Sequence, residues 1–106
     1  MGLAIKKELE GSTVILSLHG VLDISTTNQI DSYLENLEKI DVFVFDFSEL
    51  EFIDSTGIGS ILNAIYLSQD YDFKIRLQGI SEMTHQVFEM VGLYQIVNAF
   101  HGEVVQ

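Results

Sequence analysis

One segment of the sequence gathers polar and small residues where a strand is expected to give way to a helix. It reads Phe52-Ile53-Asp54-Ser55-Thr56-Gly57-Ile58-Gly59. Asp54 or Ser55 can accept hydrogen bonds from the first N–H groups of the helix, which lack partners within it. An exposed hydroxyl with little bulk beside it also suits a phosphate, which a helix dipole stabilises by about 0.3–1 kcal/mol.

The same residues could simply cap the helix, as polar residues do at many helix starts. Gly57 and Gly59 weaken that interpretation, because glycine within the first turns improves neither the cap nor the helix. We expect the two glycines to leave the helix entrance uncovered by side chains. At this point both interpretations, a helix cap and a site for a phosphate-bearing hydroxyl, stay open.

Catalysis with Ser55 as a nucleophile is not favoured. The Gly-x-Ser-x-Gly elbow of hydrolases requires a glycine where Ile53 stands. None of the three histidines is expected where a general base would be needed. They are predicted on a strand surface, a helix surface and the C-terminal tail, at His19, His85 and His101.

Nucleotide and metal sites are also poorly supported. The segment 57–59 could start a phosphate-binding loop, but Leu62 stands where the Rossmann pattern has its third glycine, and no P-loop lysine follows. Asp70 and Asp72 could hold a metal, but flanking Tyr71 in a predicted turn they are expected to be solvated. We predict no cofactor and no metal.

The composition sets broad limits on function. The chain has 106 residues, 5 basic and 16 acidic side chains, a formal net charge of −11 and no cysteine. The length predicts one domain over residues 1–106. Missing cysteines exclude disulfides and thiol chemistry, and the acidity argues against binding nucleic acid or anionic membranes. With no signal peptide or membrane span, the chain is predicted to be cytoplasmic.

Hydrophobic periodicity predicts the strands that lead to this segment. Alternation over 3–10 and 13–19 indicates a hairpin with its turn at 11–12, and Gly20 is expected to end the second strand. The nearly continuous apolar run over 42–47 is typical of a strand covered on both faces.

Two helices are predicted to connect these strands and to follow them. Ser25, Thr26 and Thr27 could each cap the first helix, Thr26 through a capping box with Gln29. The apolar face of that helix consists of Ile30, Tyr33, Leu34 and Leu37. The inner face of the helix that opens at 54–57 consists of Ile58, Ile61, Leu62 and Ile65.

The remaining elements complete an alternating pattern. A strand is predicted over 73–78, followed by a helix that Ser81 caps and Gly92 ends. That helix carries Met83, Val87, Met90 and Val91. Residues 93–100 fit a helix or a strand, and 101–106 are expected to form a frayed tail.

The order β-β-α-β-α-β-α predicts an α/β fold. The sheet should be mixed and mostly parallel, with an antiparallel N-terminal edge strand and with helices packed on it. Functional sites in such sheets form in loops beyond the carboxyl ends of the strands. Those loops are predicted at 20–27, 48–57 and 79–81.

Four short motifs occur in the order and spacing of a known family. They are Gly20-Val21-Leu22-Asp23, Val42-Phe43-Val44-Phe45-Asp46-Phe47-Ser48, the segment 52–59 and Leu77-Gln78-Gly79, and Val91-Gly92-Leu93 resembles a further Gly-Leu element. Each motif alone is weak, but the set is specific. Over nearly its whole length the sequence resembles the STAS family, the sulfate-transporter and anti-sigma-factor-antagonist domain.

The resemblance implies a role in partner switching. In bacterial antagonists of this family, an anti-sigma factor serine kinase phosphorylates the serine of the Asp-Ser-[Ser/Thr]-Gly loop. The unphosphorylated form binds that kinase and frees a sigma factor, and a PP2C-type phosphatase restores it. Carried over, Ser55 is the phosphoacceptor, Thr56 is the second candidate, and Asp54 helps to hold the loop. The chain would then be no enzyme.

The resemblance also implies a partner-binding face. It consists of Asp23, Asp54, Ser55, Thr56, Gly57 and Ile58. For Asp23, a structural role as a turn or cap carboxylate is equally open. Asp46 is expected to end its strand and to bond nearby backbone. Glu49 and Glu51 are expected near the same loops, so a phosphate would add charge to an acidic surface.

Other roles within the family stay open. Some members are scaffold subunits of signalling assemblies or cytoplasmic partners of membrane transporters, although the intact Asp-Ser-Thr-Gly loop favours the antagonist. Relatives often carry an arginine in the helix that begins at Ser81, where this chain has the sequence Met83-Thr84-His85-Gln86. Partner preference can therefore differ. We expect a monomer or a weak dimer.

Overall fold

A computed structural model describes residues 2–37 and 39–105 of the chain. Its strands are β1 (Leu3–Glu10), β2 (Thr13–Leu22), β3 (Val42–Ile53), β4 (Lys74–Gln78) and β5 (Glu103–Val104). Its helices are α1 (Asn28–Asp31), α2 (Ser55–Tyr71), α3 (Glu82–Met90) and α4 (Leu93–Ala99), and a 3-10 turn over Ser32–Leu34 follows α1. Within the described residues, no helix is long and apolar enough to cross a membrane.

The five strands form one sheet in the order β1-β2-β3-β4-β5. β1 runs antiparallel to β2, whereas β2, β3, β4 and β5 run parallel to one another. Each parallel strand lies beside the previous one, so right-handed crossovers carry the helices to the same face of the sheet. The predicted mixed sheet with an antiparallel edge strand is confirmed.

The hydrophobic core lies between that face and the helices. Ile61 of α2 and Phe45 of β3 are fully buried in the same cluster. The apolar run predicted to be covered on both faces is buried at three successive positions, Phe43, Val44 and Phe45. Val44 on the opposite face is only 1% exposed, since its ladder neighbours Ile15 and Arg76 flank it.

The prediction that β2 ends at Gly20 is wrong, because the strand continues to Leu22. Gly20 has φ 109°, and a Cβ there would lie 2.3 Å from the carbonyl oxygen of Gly2. The register of β2 against β3 shifts between Gly20 and Val21. The glycine therefore marks a bulge within the strand, not its end.

β3 is longer than predicted and runs to Ile53. Most of the loop expected over 48–57 is thus a strand, which pairs with β2 alone, because β4 pairs with β3 only as far as Asp46. Leu50 and Ile53 are buried while Glu51 is exposed, a pattern too sparse to signal a strand locally. β2 and β3 therefore extend past the ladder that they share with the rest of the sheet.

The first predicted helix is reduced to a single turn. α1 has 4 residues, and Asn36 in the segment after it adopts a positive φ of 58°. The predicted capping is also wrong, because Thr27 at the N-cap position makes no side-chain cap bond. The apolar positions are correct in part, since Tyr33 is only half-buried. The buried positions are Ile30, Leu34 and Leu37.

The later helices largely follow the predictions. α2 begins at Ser55, and its buried face includes the predicted Ile58, Ile61 and Ile65. The Ser81 hydroxyl accepts a hydrogen bond from the Thr84 amide at 3.2 Å and so caps α3. The residues that α3 buries are Thr84 and Phe88, whereas Met83, Met90 and Val91 are exposed.

The C-terminal part of the chain is more ordered than predicted. The ambiguous stretch 93–100 contains α4. The tail that was expected to fray contains β5, which pairs in parallel with β4 through Arg76 and Leu77. Arg76 also holds this strand through a salt bridge to Glu103 at 2.7 Å. The pairing is not visible in the sequence because two residues are too few for a periodic pattern.

Candidate functional site

Asp54 joins the end of β3 to the start of α2. Its backbone is extended, with φ −111° and ψ −174°, and its Oδ1 accepts a hydrogen bond from the Gly57 amide at 2.9 Å. Its own amide donates to the Leu22 carbonyl at 3.2 Å, and its Oδ2 accepts from the Ile24 amide at 3.3 Å. Asp54 therefore caps α2 and also holds the chain that leaves β2.

Ser55 is the first residue of α2 and is exposed. The next residue, Thr56, is half-buried. The first amides of a helix have no partner within it, and the dipole favours an anion at this end. The Ser55 hydroxyl is thus open to a modifying enzyme, at a place where the helix can tolerate a phosphate.

Gly57 and Ile58 are both buried, so their side-chain positions face inward. A Cβ on Gly57 would lie 2.6 Å from the Leu22 carbonyl oxygen and 2.8 Å from the Ile53 side chain. The expectation that both glycines leave the helix entrance uncovered is wrong for Gly57, which instead allows α2 to approach β2. Gly59 fits the expectation, because it is exposed and a Cβ there would meet nothing within 4 Å.

Asp23 organises the turn that follows β2. Its Oδ1 accepts hydrogen bonds from the amide and the hydroxyl of Ser25, at 2.9 and 2.7 Å. Chiefly because of the Ser25 hydroxyl, the pKa of Asp23 lies below its ordinary value. Thr26 completes the turn, since its buried hydroxyl donates to the Val21 carbonyl at 2.8 Å and accepts from the Asp23 amide at 3.0 Å. The structural role that the sequence left open for Asp23 is present.

Two contacts tie this turn to α2. One is the hydrogen bond between the Ile24 amide and Asp54, and the other joins the hydroxyls of Thr27 and Ser60. They bring the chain around Asp23 and the chain around Ser55 to the same end of the sheet. Sequence reasoning found Asp23, Asp54 and Ser55 but missed the Thr27–Ser60 pair, because nothing in the sequence connects positions 33 residues apart.

Asp46 forms a separate network where β4 stops pairing with β3. Its Oδ1 accepts from the Ser48 amide at 2.9 Å and from the Ser48 hydroxyl, and its Oδ2 accepts from the Gln78 side chain at 3.1 Å. Burial raises the pKa of Asp46, but these hydrogen bonds outweigh burial, and the pKa lies below its ordinary value. The expected bond to nearby backbone is confirmed, whereas the expectation that Asp46 ends its strand is wrong.

Two segments of the chain that include Asp23 and Ser55 are acidic. Residues 20–37 and 47–60 contain no lysine or arginine. Their acidic residues are Asp23, Asp31, Glu35, Glu49, Glu51 and Asp54. A phosphate on Ser55 would therefore join an area that already has a negative charge.

Other chemistry finds little support in the described residues. They contain no group of three or more His, Cys, Asp or Glu side chains that could hold a metal ion. His85 contacts the Tyr94 hydroxyl through Nδ1 at 2.8 Å and Glu89 through Nε2 at 3.7 Å, not Ser55. Burial, and secondarily the Glu89 charge, raises the pKa of Tyr94. These contacts fit a structural role at the α3–α4 contact.

A protein-family model matches the part of the chain that contains the sheet and the Asp54–Ser55 helix start. The model of the STAS domain matches residues 4–104. The chain therefore belongs to the STAS domain family, as the motifs predicted.

Individual relatives agree with this assignment. The anti-sigma F factor antagonist of Paenibacillus polymyxa is 25% identical over 107 residues, which cover 98% of this chain and 92% of that protein. The Bacillus cell fate determinant SpoIIAA, solved in its phosphorylated form, aligns with a TM-score of 0.70 and 25% identity over 87% of this chain and 86% of its own. An anti-sigma factor antagonist from Mycobacterium paratuberculosis shares the fold, with a TM-score of 0.77 and 17% identity over 89% and 81% of the two chains.

Proposed function

We propose that this chain is an anti-sigma factor antagonist that acts by partner switching in the cytoplasm. In its unphosphorylated form it binds an anti-sigma factor serine kinase and thereby releases a sigma factor. Phosphorylation of Ser55 ends this binding, and a PP2C-type phosphatase restores it. The chain is then a substrate of the kinase and the phosphatase, not an enzyme.

The exposed Ser55 hydroxyl at the first position of α2 carries this proposal. Asp54 fixes that position through bonds to both the helix and the chain after β2. The named function of the Paenibacillus relative and the phosphorylated form of SpoIIAA point to the same chemistry in this family. Asp23, Asp54, Ser55 and Thr56 offer groups to a partner, while the buried Gly57 and Ile58 contribute by shaping the helix start.

Phosphorylation can act as a switch by charge alone. A phosphoserine carries about −1.5 to −2 charges and three acceptor oxygens. On the free protein it lies in water at the positive end of the α2 dipole, where it is tolerated. In an interface it must lose water beside Asp54 and the other acidic residues of this end. A difference of about 3 kcal/mol lowers affinity on the order of a hundredfold.

The proposal is tested with purified anti-sigma factor serine kinases from the same genome and ATP. Mass spectrometry should find phosphate on Ser55 in the wild type and none after Ser55→Ala. Ser32→Ala, which removes another exposed hydroxyl, should leave phosphorylation intact. Ser55→Asp should weaken kinase binding on the order of a hundredfold.

Two results would contradict the proposal. One is a Ser55→Asp variant that binds the kinase as tightly as the wild type does. The other is a pull-down from native lysate, with wild type and Ser55→Ala as baits, that recovers only subunits of a membrane transporter. That result would support the transporter-partner role.

A further inference from the structure

Two large apolar side chains are exposed on the chain near Asp54, one just after β2 and one near the end of β3. Ile24 is 76% exposed and Phe52 is 50% exposed. The amide of Ile24 donates to Asp54, the residue before Ser55, and Phe52 is three positions before Ser55 on the last part of β3. The ladder places Val21 opposite Phe52 and Leu22 opposite Ile53, so both side chains belong to the tip formed by β2 and β3.

Ile24 and Phe52 are exposed although the residues next to them in the chain are well packed. Leu50 and Ile53, which lie before and after Phe52 on β3, are buried. This part of β3 is therefore packed against the core. Leu22 before the turn is also fully buried. Phe52 and Ile24 are thus exposed side chains on a backbone whose neighbouring residues are buried, which limits the conformational entropy lost when a partner covers them.

The acidic residues in the same segments indicate what kind of partner surface could cover the two side chains. Ile24 and Phe52 fall within the segments 20–37 and 47–60, which carry acidic residues and no lysine or arginine. Specific interfaces commonly combine an apolar centre with a polar rim, and their rims are electrostatically complementary. A partner that covers this tip therefore needs apolar pockets surrounded by basic residues.

We propose that Ile24 and Phe52 are the apolar anchors of the interface whose phosphorylation switch is Ser55, and that they insert into pockets with a basic rim on the anti-sigma factor kinase. This inference rests on the proposed function and specifies its interface. Because Ile24 is bonded to Asp54 and Phe52 lies three positions before Ser55 in the chain, we expect a partner that covers both side chains to lie close to Ser55 as well. The anchors therefore make a phosphate at this point costly to the complex.

A second exposed apolar group lies on α3 and offers a rival surface. Met83, Met90 and Val91 are exposed there, with Met90 at 83%. α3 starts beyond β4, which pairs with β3 only as far as Asp46, whereas Phe52 lies on the part of β3 past that point. Among the residues that the structure describes, no hydrogen bond joins α3 to Asp54 or Ser55 as the Ile24 amide joins Asp54. The test therefore includes Met90.

The test measures binding to the kinase that phosphorylates Ser55. Surface plasmon resonance compares wild type with Ile24→Ser, Phe52→Ser, Met90→Ser and Leu9→Ser, since Leu9 is 65% exposed on β1 and serves as the matched control. Ile24→Ser and Phe52→Ser should each raise the dissociation rate about tenfold or more, with little change in the association rate. Leu9→Ser and Met90→Ser should bind as wild type does. Thermal unfolding should confirm that all four variants remain folded, since their changed side chains are exposed.

The outcomes separate this inference from the function on which it rests. If the kinase phosphorylates Ser55 but Ile24→Ser and Phe52→Ser dissociate no faster than Leu9→Ser, the inference is wrong and the function stands. If Met90→Ser alone dissociates faster, α3 is the docking surface and the inference is again wrong. If no kinase binds or phosphorylates the wild type, the proposed function fails and the inference falls with it.

Discussion

At the scale of single residues, two glycines of the same helix start have opposite roles. Gly57 is buried where α2 crosses close to β2, and Gly59 is exposed two positions later. In the sequence they form one small-residue motif. Their difference arises from Leu22 and Ile53, which the fold places against Gly57 alone.

We predict that Gly57→Ala lowers the free energy of unfolding by about 1–3 kcal/mol, because the added Cβ would overlap the Leu22 carbonyl and force α2 outward. Gly59→Ala is the matched control, since its Cβ would meet nothing within 4 Å. It should raise the free energy of unfolding by up to about 1 kcal/mol through helix propensity. Urea unfolding measures both, and equal effects would show that the close approach is not what requires Gly57.

Asp54 combines a helix cap with a tether to the chain after β2. We predict that Asp54→Ala lowers the free energy of unfolding by about 1 kcal/mol and also weakens kinase binding. Ser81→Ala removes the cap of α3 and should cost a similar amount of stability. Only the Asp54 variant should affect binding, because its second bond holds Ile24.

A titration of both variants against the kinase decides this point. Equal losses of affinity in Asp54→Ala and Ser81→Ala would mean that general destabilisation weakens binding. The tether to Ile24 would then have no special role.

At the scale of elements, the sequence predicts best where a pattern is long and local. The inward face of α2 repeats over several turns, and the sequence predicted its buried Ile58, Ile61 and Ile65. It missed Ala64 and Ser68, which are also buried. The continuation of β3 to Ile53 was missed, because the partner that makes it a strand is the end of β2, some 30 positions away along the chain. The same reasoning explains Ile24 and Phe52, whose exposure depends on neighbours that no local pattern specifies.

The hydrogen bonds of Asp46 link two elements, since they join β3 to Gln78 of β4. Gly79 in the turn after β4 has φ 69°, and a Cβ there would lie 2.7 Å from the Asp46 carboxylate. A side chain at this position would disturb both the strand contact and the carboxylate. Asp46 and Gly79 are therefore best understood as parts of the scaffold that supports the tip.

This network predicts a specific pH dependence. Hydrogen bonds from Ser48 and Gln78 outweigh burial and hold the pKa of Asp46 below its ordinary value. A folded-state pKa below the unfolded one contributes stability above the unfolded value, and this contribution is lost as pH falls through the folded pKa. Asp46→Asn should therefore reduce the loss of unfolding free energy on acidification. Urea unfolding at several pH values between about 2.5 and 5 measures this loss.

Ser48→Ala offers a second measure of the same effect. It removes the hydroxyl donor but keeps the amide donor to Asp46. Its pH profile should lie between those of the wild type and Asp46→Asn. Three identical profiles would show that the Asp46 network does not contribute to acid sensitivity.

At the scale of the whole molecule, the net charge of −11 is unevenly placed. The basic residues are Lys6, Lys7, Lys39, Lys74 and Arg76, all outside the segments 20–37 and 47–60. Lys6 and Arg76 are also engaged with acidic neighbours, Glu8 and Glu103. The segments that carry Asp23 and Ser55 therefore contain acidic residues and no basic ones.

We predict that salt slows association with the kinase, because a basic partner is attracted to an acidic tip over a range that ions screen, about 10 Å at 0.1 M. The association rate should fall about tenfold or more between roughly 0.02 and 0.5 M NaCl. The double variant Glu49→Gln/Glu51→Gln should flatten this dependence. Asp70→Asn/Asp72→Asn changes the net charge equally at the far end of α2 and should leave the dependence nearly unchanged. If both doubles flatten it equally, total charge governs the encounter, and the placement of acidic residues around Ser55 does not.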